Sequence, residues 1–321
     1  MDIKEITLEN LDPERFIAEQ CSAIADAVTG GVAINALSGG VDSSVVTMLG
    51  HRALGDRLKT VFIDNGIMRK DEPGQVAATF RRLGVPIEIL DARERFFSAL
   101  KGLTDPEEKR EAITQTFYRD VFGDLVRKSG ARFLLQGTIF TDVEETVAGV
   151  KRQHNILSQL GIDTKEQFGY TLIEPLIGLR KPGVRKVGEA LGLPRDMFAR
   201  PPFPGPALAA RVIGEASPER IALVREATSI VEAELSGVRA FQYLAILHED
   251  KVTGIRDGKR DYGYQIEIRC WDSMDARTAT PTRLDFDTLE RLASRMTSEI
   301  KGVVSVTYNI ASKPTSTIEA V

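Results

Sequence analysis

Four short apolar runs, separated by helical stretches within residues 13–200, restrict this chain more than any other feature. Val32–Leu37, Thr60–Ile63, Pro86–Leu90 and Arg132–Gln136 each read as a buried strand. A helix opens at Asp12-Pro13-Glu14, carries Phe16, Ile17, Ala23, Ile24 and Ala27 as its apolar residues, and ends at Gly30-Gly31. A long helical pattern covers 107–128 and leads into the fourth strand. Strands that are apolar throughout must be covered on both faces, and one helix between successive strands makes them parallel with right-handed crossovers. The expectation is an α/β domain built on a doubly wound parallel sheet.

This pattern ends at Arg200-Pro201-Pro202-Phe203-Pro204-Gly205-Pro206, where four of seven residues are proline. Neither a helix nor a central strand passes through such a segment. It reads equally as a stiff linker or as a functional crossing point. Beyond it a helix is expected over 217–235, an apolar run over Tyr243–Leu247, and a hairpin over 252–271 turning at Asp257-Gly258. A helix over 285–300 and an alternating strand Val303–Tyr308 complete a smaller α+β domain. The division expected is 1–200 and 207–321.

Composition narrows the function classes. Lys and Arg number 42 against 46 Asp and Glu, a net charge of −4, which argues against coating nucleic acid but leaves room for a local phosphate pocket. Cys21 and Cys270 are too far apart for a CxxC pair or a cysteine zinc cluster; a single long-range disulfide stays open, and without a secretory signal two free thiols are the expectation. The first twenty residues carry acids throughout and no apolar core, and no run reaches the ~18 apolar residues of a spanning helix. The expectation is a cytoplasmic protein with no membrane or nucleic-acid contact.

The chemistry lies in Ser38-Gly39-Gly40-Val41-Asp42-Ser43-Ser44, between the first strand and an apolar helix. Adjacent glycines let the backbone approach an anion closely. Hydroxyls and successive N–H groups then surround that anion at the positive end of the helix. No Walker lysine is present, so this is not the common P-loop. A plain turn with Ser or Asp capping the helix is the bland alternative, and the full motif in this context argues against it.

SGGVDSS resembles the pyrophosphate-binding loop of the N-type ATP pyrophosphatases, which split ATP between the α and β phosphates to adenylylate a substrate. The absence of paired cysteines argues against the tRNA-thiolating branch. Val61-Phe62-Ile63-Asp64-Asn65-Gly66, Thr104–Arg110, Gln136-Gly137-Thr138, Pro202–Pro206, Arg211–Glu215 and Lys313–Glu319 are similar to the GMP synthetase branch. The resemblance runs from about Phe16 to the last residues and covers the synthetase portion without a glutaminase half, as in two-subunit enzymes.

That resemblance implies an adenine nucleotide alpha hydrolase-like first domain and a second domain that dimerises and helps bind XMP. It implies ATP and Mg²⁺, with XMP and ammonia as the other substrates and a separate glutaminase subunit as partner. ATP and pyrophosphate would bind at Ser38, Gly39, Gly40, Val41, Asp42, Ser43, Ser44, Ile63, Asp64 and Gly137. Asp42 and Ser43 are the expected catalytic residues, with Asp42 either placing Mg²⁺ or bracing the loop. XMP would meet Arg110, Gln242, Asp257, Lys313, Ile318 and Glu319. Taken alone, Arg110 reads as a solvated helix charge. His154, Asn155 and Lys181 correspond to a lid, with Gln153 where the family has its first histidine.

Some positions depart from the family pattern. Arg180-Lys181-Pro182-Gly183-Val184-Arg185 lacks two carboxylates of the usual Lys-Asp-Glu-Val-Arg, and Thr141–Thr146 keeps only Asp142 and Glu145 of its segment. Pro206-Ala207-Leu208 replaces Pro-Gly-Leu, and Ala320-Val321 replaces an aromatic residue and a glutamate. These departures motivate two other readings: adenylylation of a different acceptor, or a nucleotide-binding relative without catalysis.

Overall fold

The computed structural model describes residues 3–147, 170–199, 203–274 and 276–320. In chain order it contains α1 (Pro13–Ala27), β1 (Ala33–Leu37), α2 (Val41–Leu54), β2 (Leu58–Asp64), α3 (Glu72–Arg82), β3 (Glu88–Asp91) and α4 (Arg93–Leu100). Then come α5 (Pro106–Gln115), a π-helical stretch (Thr116–Phe122), α6 (Gly123–Ser129), β4 (Phe133–Leu135), α7 (Phe140–Val147) and β5 (Thr171–Ile173). The rest comprises α8 (Lys181–Ala190), α9 (Asp196–Ala199), α10 (Pro218–Glu234), β6 (Gln242–Arg256), β7 (Lys259–Asp272), β8 (Thr280–Pro281), α11 (Phe286–Glu299) and β9 (Val303–Tyr308).

Two compact units result. One is Met1–Asp64, Glu72–Ala92 and Phe117–Arg200; the other is Asn65–Asp71, Arg93–Thr116 and Pro201–Val321. The division is therefore not a single cut near the proline-rich segment, because two short excursions of the first half of the chain fold with the second unit.

The first unit is a parallel five-stranded sheet in the order β3-β2-β1-β4-β5. Successive strands leave β1 in opposite directions, so the topological switch point lies between β1 and β4. α1 starts where Pro13 follows Asp12, whose carboxylate accepts from the amides of Glu14 and Arg15 at 3.1 and 3.2 Å. α2 lies on the sheet at Gly50, where a Cβ would stand 2.6 Å from Leu135 and 3.0 Å from Leu58. Asn35, buried in β1, donates to Leu135 O at 3.2 Å and accepts from Thr47 at 2.6 Å, tying β1 to β4 and α2.

One expectation is corrected. The third strand is not buried: β3 is the sheet edge, and most of its residues are exposed. The long helical pattern over 107–128 is helical throughout, as α5, the π-helical stretch and α6. β5 was not expected, since three residues are too short to show a period.

The second unit contains an antiparallel β6–β7 hairpin, β8 beside β7, and β9 parallel to β7. The hairpin turns where expected, with Arg256 opposite Lys259 and positive φ at both Asp257 (52°) and Gly258 (75°), as a tight hairpin turn demands. Leu244, Ile246, Trp271, Ala279 and Ile318 form a core cluster there, so the C-terminal segment is part of the packing. Both cysteines are free. Among the described residues no helix is long and apolar enough to cross a membrane.

Candidate active site

The loop after β1 folds on its own hydroxyls. Ser43 Oγ donates to Gly40 O at 3.0 Å, accepts from the Ser38 amide at 3.2 Å, and lies 2.9 Å from Ser38 Oγ. Ser44 Oγ donates to Gly40 O at 2.8 Å. The N-cap of α2 is Gly40, with no side chain bonded to the helix end, so the capped-turn alternative does not hold. The first amides of α2 therefore have no capping side chain and point along the helix dipole into the loop. Gly39 has φ of 80°, a conformation that favours glycine, and packs against Glu72, Val76 and Phe62.

Asp42, in the first turn of α2, is the charged member. Its Oδ2 accepts from Lys181 Nζ at 2.6 Å, which joins α2 to the start of α8. Its Oδ1 is buried and has no hydrogen-bond partner among the described residues. A buried carboxylate oxygen without a donor is costly unless a ligand or cation completes it. Mg²⁺ takes one or two carboxylates together with phosphate oxygens, so the donor set here fits that ion.

Ile63 and Asp64 end β2. The register Leu37 opposite Phe62 brings them out beside Ser38 on the carboxyl edge of the sheet. Gly137 follows β4 and comes against the start of α2, where a Cβ would stand 3.2 Å from both Asp42 C and Ser43 N. All ten residues expected to hold ATP are thus on this one edge. Lys181 is joined to them through Asp42, whereas His154 and Asn155 lie outside the described residues.

The second unit gathers another set. Gln242 Nε2 donates to Glu319 Oε1 at 2.7 Å, and Arg211 reaches both carboxylate oxygens of Glu319 at 3.3 Å. Ile318 is buried in the same core cluster. Lys313 pairs with Ala279 of that cluster and donates to Ala276 O at 2.7 Å. Lys313, Arg239, Phe241, Asp272 and Thr280 line a cleft of about 640 Å³, a size suited to a small molecule. Arg110, on α5, is half-exposed and donates to Glu107 at 3.2 Å. Asp257 is not brought to this group within one chain: it sits in the hairpin turn, roughly 45 Å along β6 from Gln242 at the strand rise.

Beside this group, burial pushes the Glu267 carboxyl up, but hydrogen bonds from His248, Asn309 and Arg269 outweigh it and bring it down to about 2. A carboxyl depressed in the folded chain stabilises it above the ordinary value near 4.5, and that stabilisation fades as pH falls toward 2. Glu267→Gln is expected to flatten the acid limb of melting temperature against pH; equal slopes for the two proteins between pH 5 and 3 would overturn this.

Sequence reasoning passed over Asn35, although it is the one polar residue in an apolar strand. It quoted Lys109 and Arg211 within motifs but gave neither a role. Lys109 is 1% exposed, and burial with Arg220 nearby lowers its ammonium to about 8.

A glycine-rich loop at the switch point of a parallel 3-2-1-4-5 sheet, with helix amides at its end and an Asp42 oxygen that has no partner among the described residues, defines a nucleotide-binding ligase of the PP-loop class. Residues 17–207 match the NAD synthase family, and residues 230–320 match the GMP synthase C terminal domain. The glutamine-hydrolyzing GMP synthase of Archaeoglobus fulgidus, in its subunit designated B, is 45% identical over 309 residues, 96% of this chain and 99% of its own. The Methanocella arvoryzae and Methanocaldococcus jannaschii proteins of the same name are 46% and 42% identical, each over 96% of this chain and 99% of their own. An NH3-dependent NAD synthetase structure from Campylobacter jejuni aligns at TM-score 0.46 and 15% identity, covering 59% of this chain and 77% of that one. The chain belongs to the family of these GMP synthase subunits.

Proposed function

We propose that the chain aminates XMP to GMP at the expense of ATP, using ammonia from a separate glutamine amidotransferase subunit. The xanthine O2 attacks the α-phosphorus of ATP and pyrophosphate leaves. Ammonia then displaces AMP at C2. The observation that carries this reading is the loop Ser38–Ser44, whose Asp42 has an oxygen without a partner among the described residues, in a chain 45% identical to a GMP synthase subunit over nearly its whole length.

The leaving pyrophosphate concentrates negative charge. The amides at the start of α2 are pre-set donors for it, and fixed donors cost no reorganisation as charge develops; the hydroxyls of Ser38 and Ser43, whose protons are held within the loop, would have to turn to join them. Mg²⁺ bound at Asp42 Oδ1 would offset further phosphate charge. Lys181 holds the other Asp42 oxygen and so sets the direction in which the free one points. Ile63 and Asp64, at the end of β2, would meet the adenosine. In the second unit, Arg110 and Lys313 suit a phosphate, while Gln242 and Glu319 suit purine and ribose donors and acceptors.

We also propose a homodimer. Exposed Ile255 and Tyr262 on the projecting hairpin, 79% and 66% accessible, support a partner there. Asp257 would enter an XMP site only from a second copy.

The test is pyrophosphate release by the purified chain with ATP, Mg²⁺ and ammonium, with and without XMP. Release that requires XMP and yields GMP in equal amount is the expected result. Release indifferent to XMP would assign the site to a different acceptor.

A further inference from the structure

We infer that Arg211 is a positioning residue for the acceptor nucleotide, acting through the carboxylate of Glu319; the inference rests on the XMP reading above and deepens it. Arg211 is only 1% exposed, and its Nε and Nη2 donate to Oε2 and Oε1 of Glu319, each at 3.3 Å. Gln242 donates to Oε1 as well. A planar fork that engages both oxygens sets the plane of the carboxylate, which a lysine point charge does not. The tail backbone is held too: Arg269 Nη1 donates to Thr317 O at 2.7 Å and Glu319 O at 3.3 Å, and Trp271 Nε1 to Ile318 O at 3.3 Å. The Glu319 side chain stays 19% exposed, so part of it remains open to a ligand.

The turn that carries Arg211 is fastened by two buried cations. Lys109 Nζ donates to the carbonyls of Val212 (2.7 Å), Gly214 (3.0 Å) and Ala209 (3.5 Å). Arg220 donates to Glu215 O (2.7 Å), Ile213 O (2.6 Å) and His248 O (3.2 Å). Burial and mutual repulsion oppose such a pair, and a turn needed only as a connection would leave these carbonyls to water. Phe203 completes the support: the guanidinium carbons of Arg69 and Arg211 stand 3.9 and 4.8 Å from its ring centroid. Ring and carboxylate thus both engage the Arg211 guanidinium, and its turn is fastened through the backbone carbonyls that follow it.

A merely structural anchor and a positioning residue differ in which substrate they affect. Steady-state kinetics of the full chain with ATP, Mg²⁺, ammonium and XMP are compared for Arg211→Lys, Arg211→Gln, Glu319→Gln and the double variants. The Lys and Gln replacements retain, respectively, the charge and a short donor, so two variants of unequal disturbance are available. Loss of the forked, charged bond is expected to raise KM for XMP about tenfold or more, with KM for ATP within about twofold. Each double variant should be no worse than its worse single, because Arg211 acts through Glu319. An unchanged KM for XMP, equal rises for both substrates, or additive effects in the doubles would overturn the inference. Wild-type turnover that does not require XMP would instead remove the acceptor reading on which it rests, so the two failures are told apart within the same experiment.

Discussion

Asp42→Asn is expected to lower XMP-dependent pyrophosphate release by about 10³-fold or more, the scale of losing a charge that places a metal or offsets a leaving group. The replacement is isosteric, so the loop has no steric reason to move. What changes is charge. Oδ1, buried and without a donor, becomes part of a neutral amide, and Lys181 loses its anionic partner. The ion pair itself contributes little to stability: the Lys181 side chain is 43% exposed and that of Asp42 23%, and such pairs are worth about 1 kcal/mol or less. A fall in turnover with a nearly unchanged melting temperature is therefore the combined expectation. Retention of more than about a third of wild-type turnover would mean that Asp42 only braces the loop, since a bracing oxygen survives the change to amide.

Gly137→Val is expected to have the next largest effect, through geometry alone. A Cβ at this position stands 3.2 Å from the backbone at Asp42 and Ser43, and the two methyls of valine need room beyond it. The obstacle is main chain at the start of a helix, which does not swing aside as a side-chain tip does. α2 must shift along its axis or β4 must move from β1, with which it pairs only over Ala33–Asn35. A displacement near 1 Å at a reacting centre costs about a hundredfold, so KM for ATP should rise or kcat fall by that order. The Ala variant should show a smaller change in the same direction. Differential scanning calorimetry with and without ATP separates the two contributions: the expected result is a lower melting temperature together with a loss of the upward shift that ATP produces. Normal kinetics in the valine variant would show that the loop tolerates displacement.

The parallel sheet was legible because β1, β2 and β4 are contiguous apolar runs, and burial on both faces leaves little else for such a run to do. β3 misled for the same reason: Ile87, Ile89 and Leu90 look alike at an edge and at a centre, and only the strand order distinguishes them. The hairpin turn was legible from Asp257-Gly258, where both residues must adopt positive φ. The helical run over 107–128 was legible too, but not the π-helical stretch inside it, since neither proline nor glycine marks Thr116–Phe122. In the site, SGGVDSS announced an anion loop from seven consecutive residues. The resemblance, not the spacing, brought Gln242 and Glu319 together in one expected site.

By itself the sequence determined the things that neighbours in the chain decide: a buried strand, a loop able to surround an anion, a helix end pointing at it. Backbone conformation and helix polarity are local, so a contiguous motif encodes them in full. Only the tertiary structure decided which oxygen of Asp42 has no partner among the described residues, because Lys181 comes from 139 residues away to take the other. Only it showed Arg211 holding Glu319 across 108 residues, on a turn fastened by Lys109 and Arg220. Charges meet at such distances because of strand order and packing, and neither period nor composition along a chain carries that information.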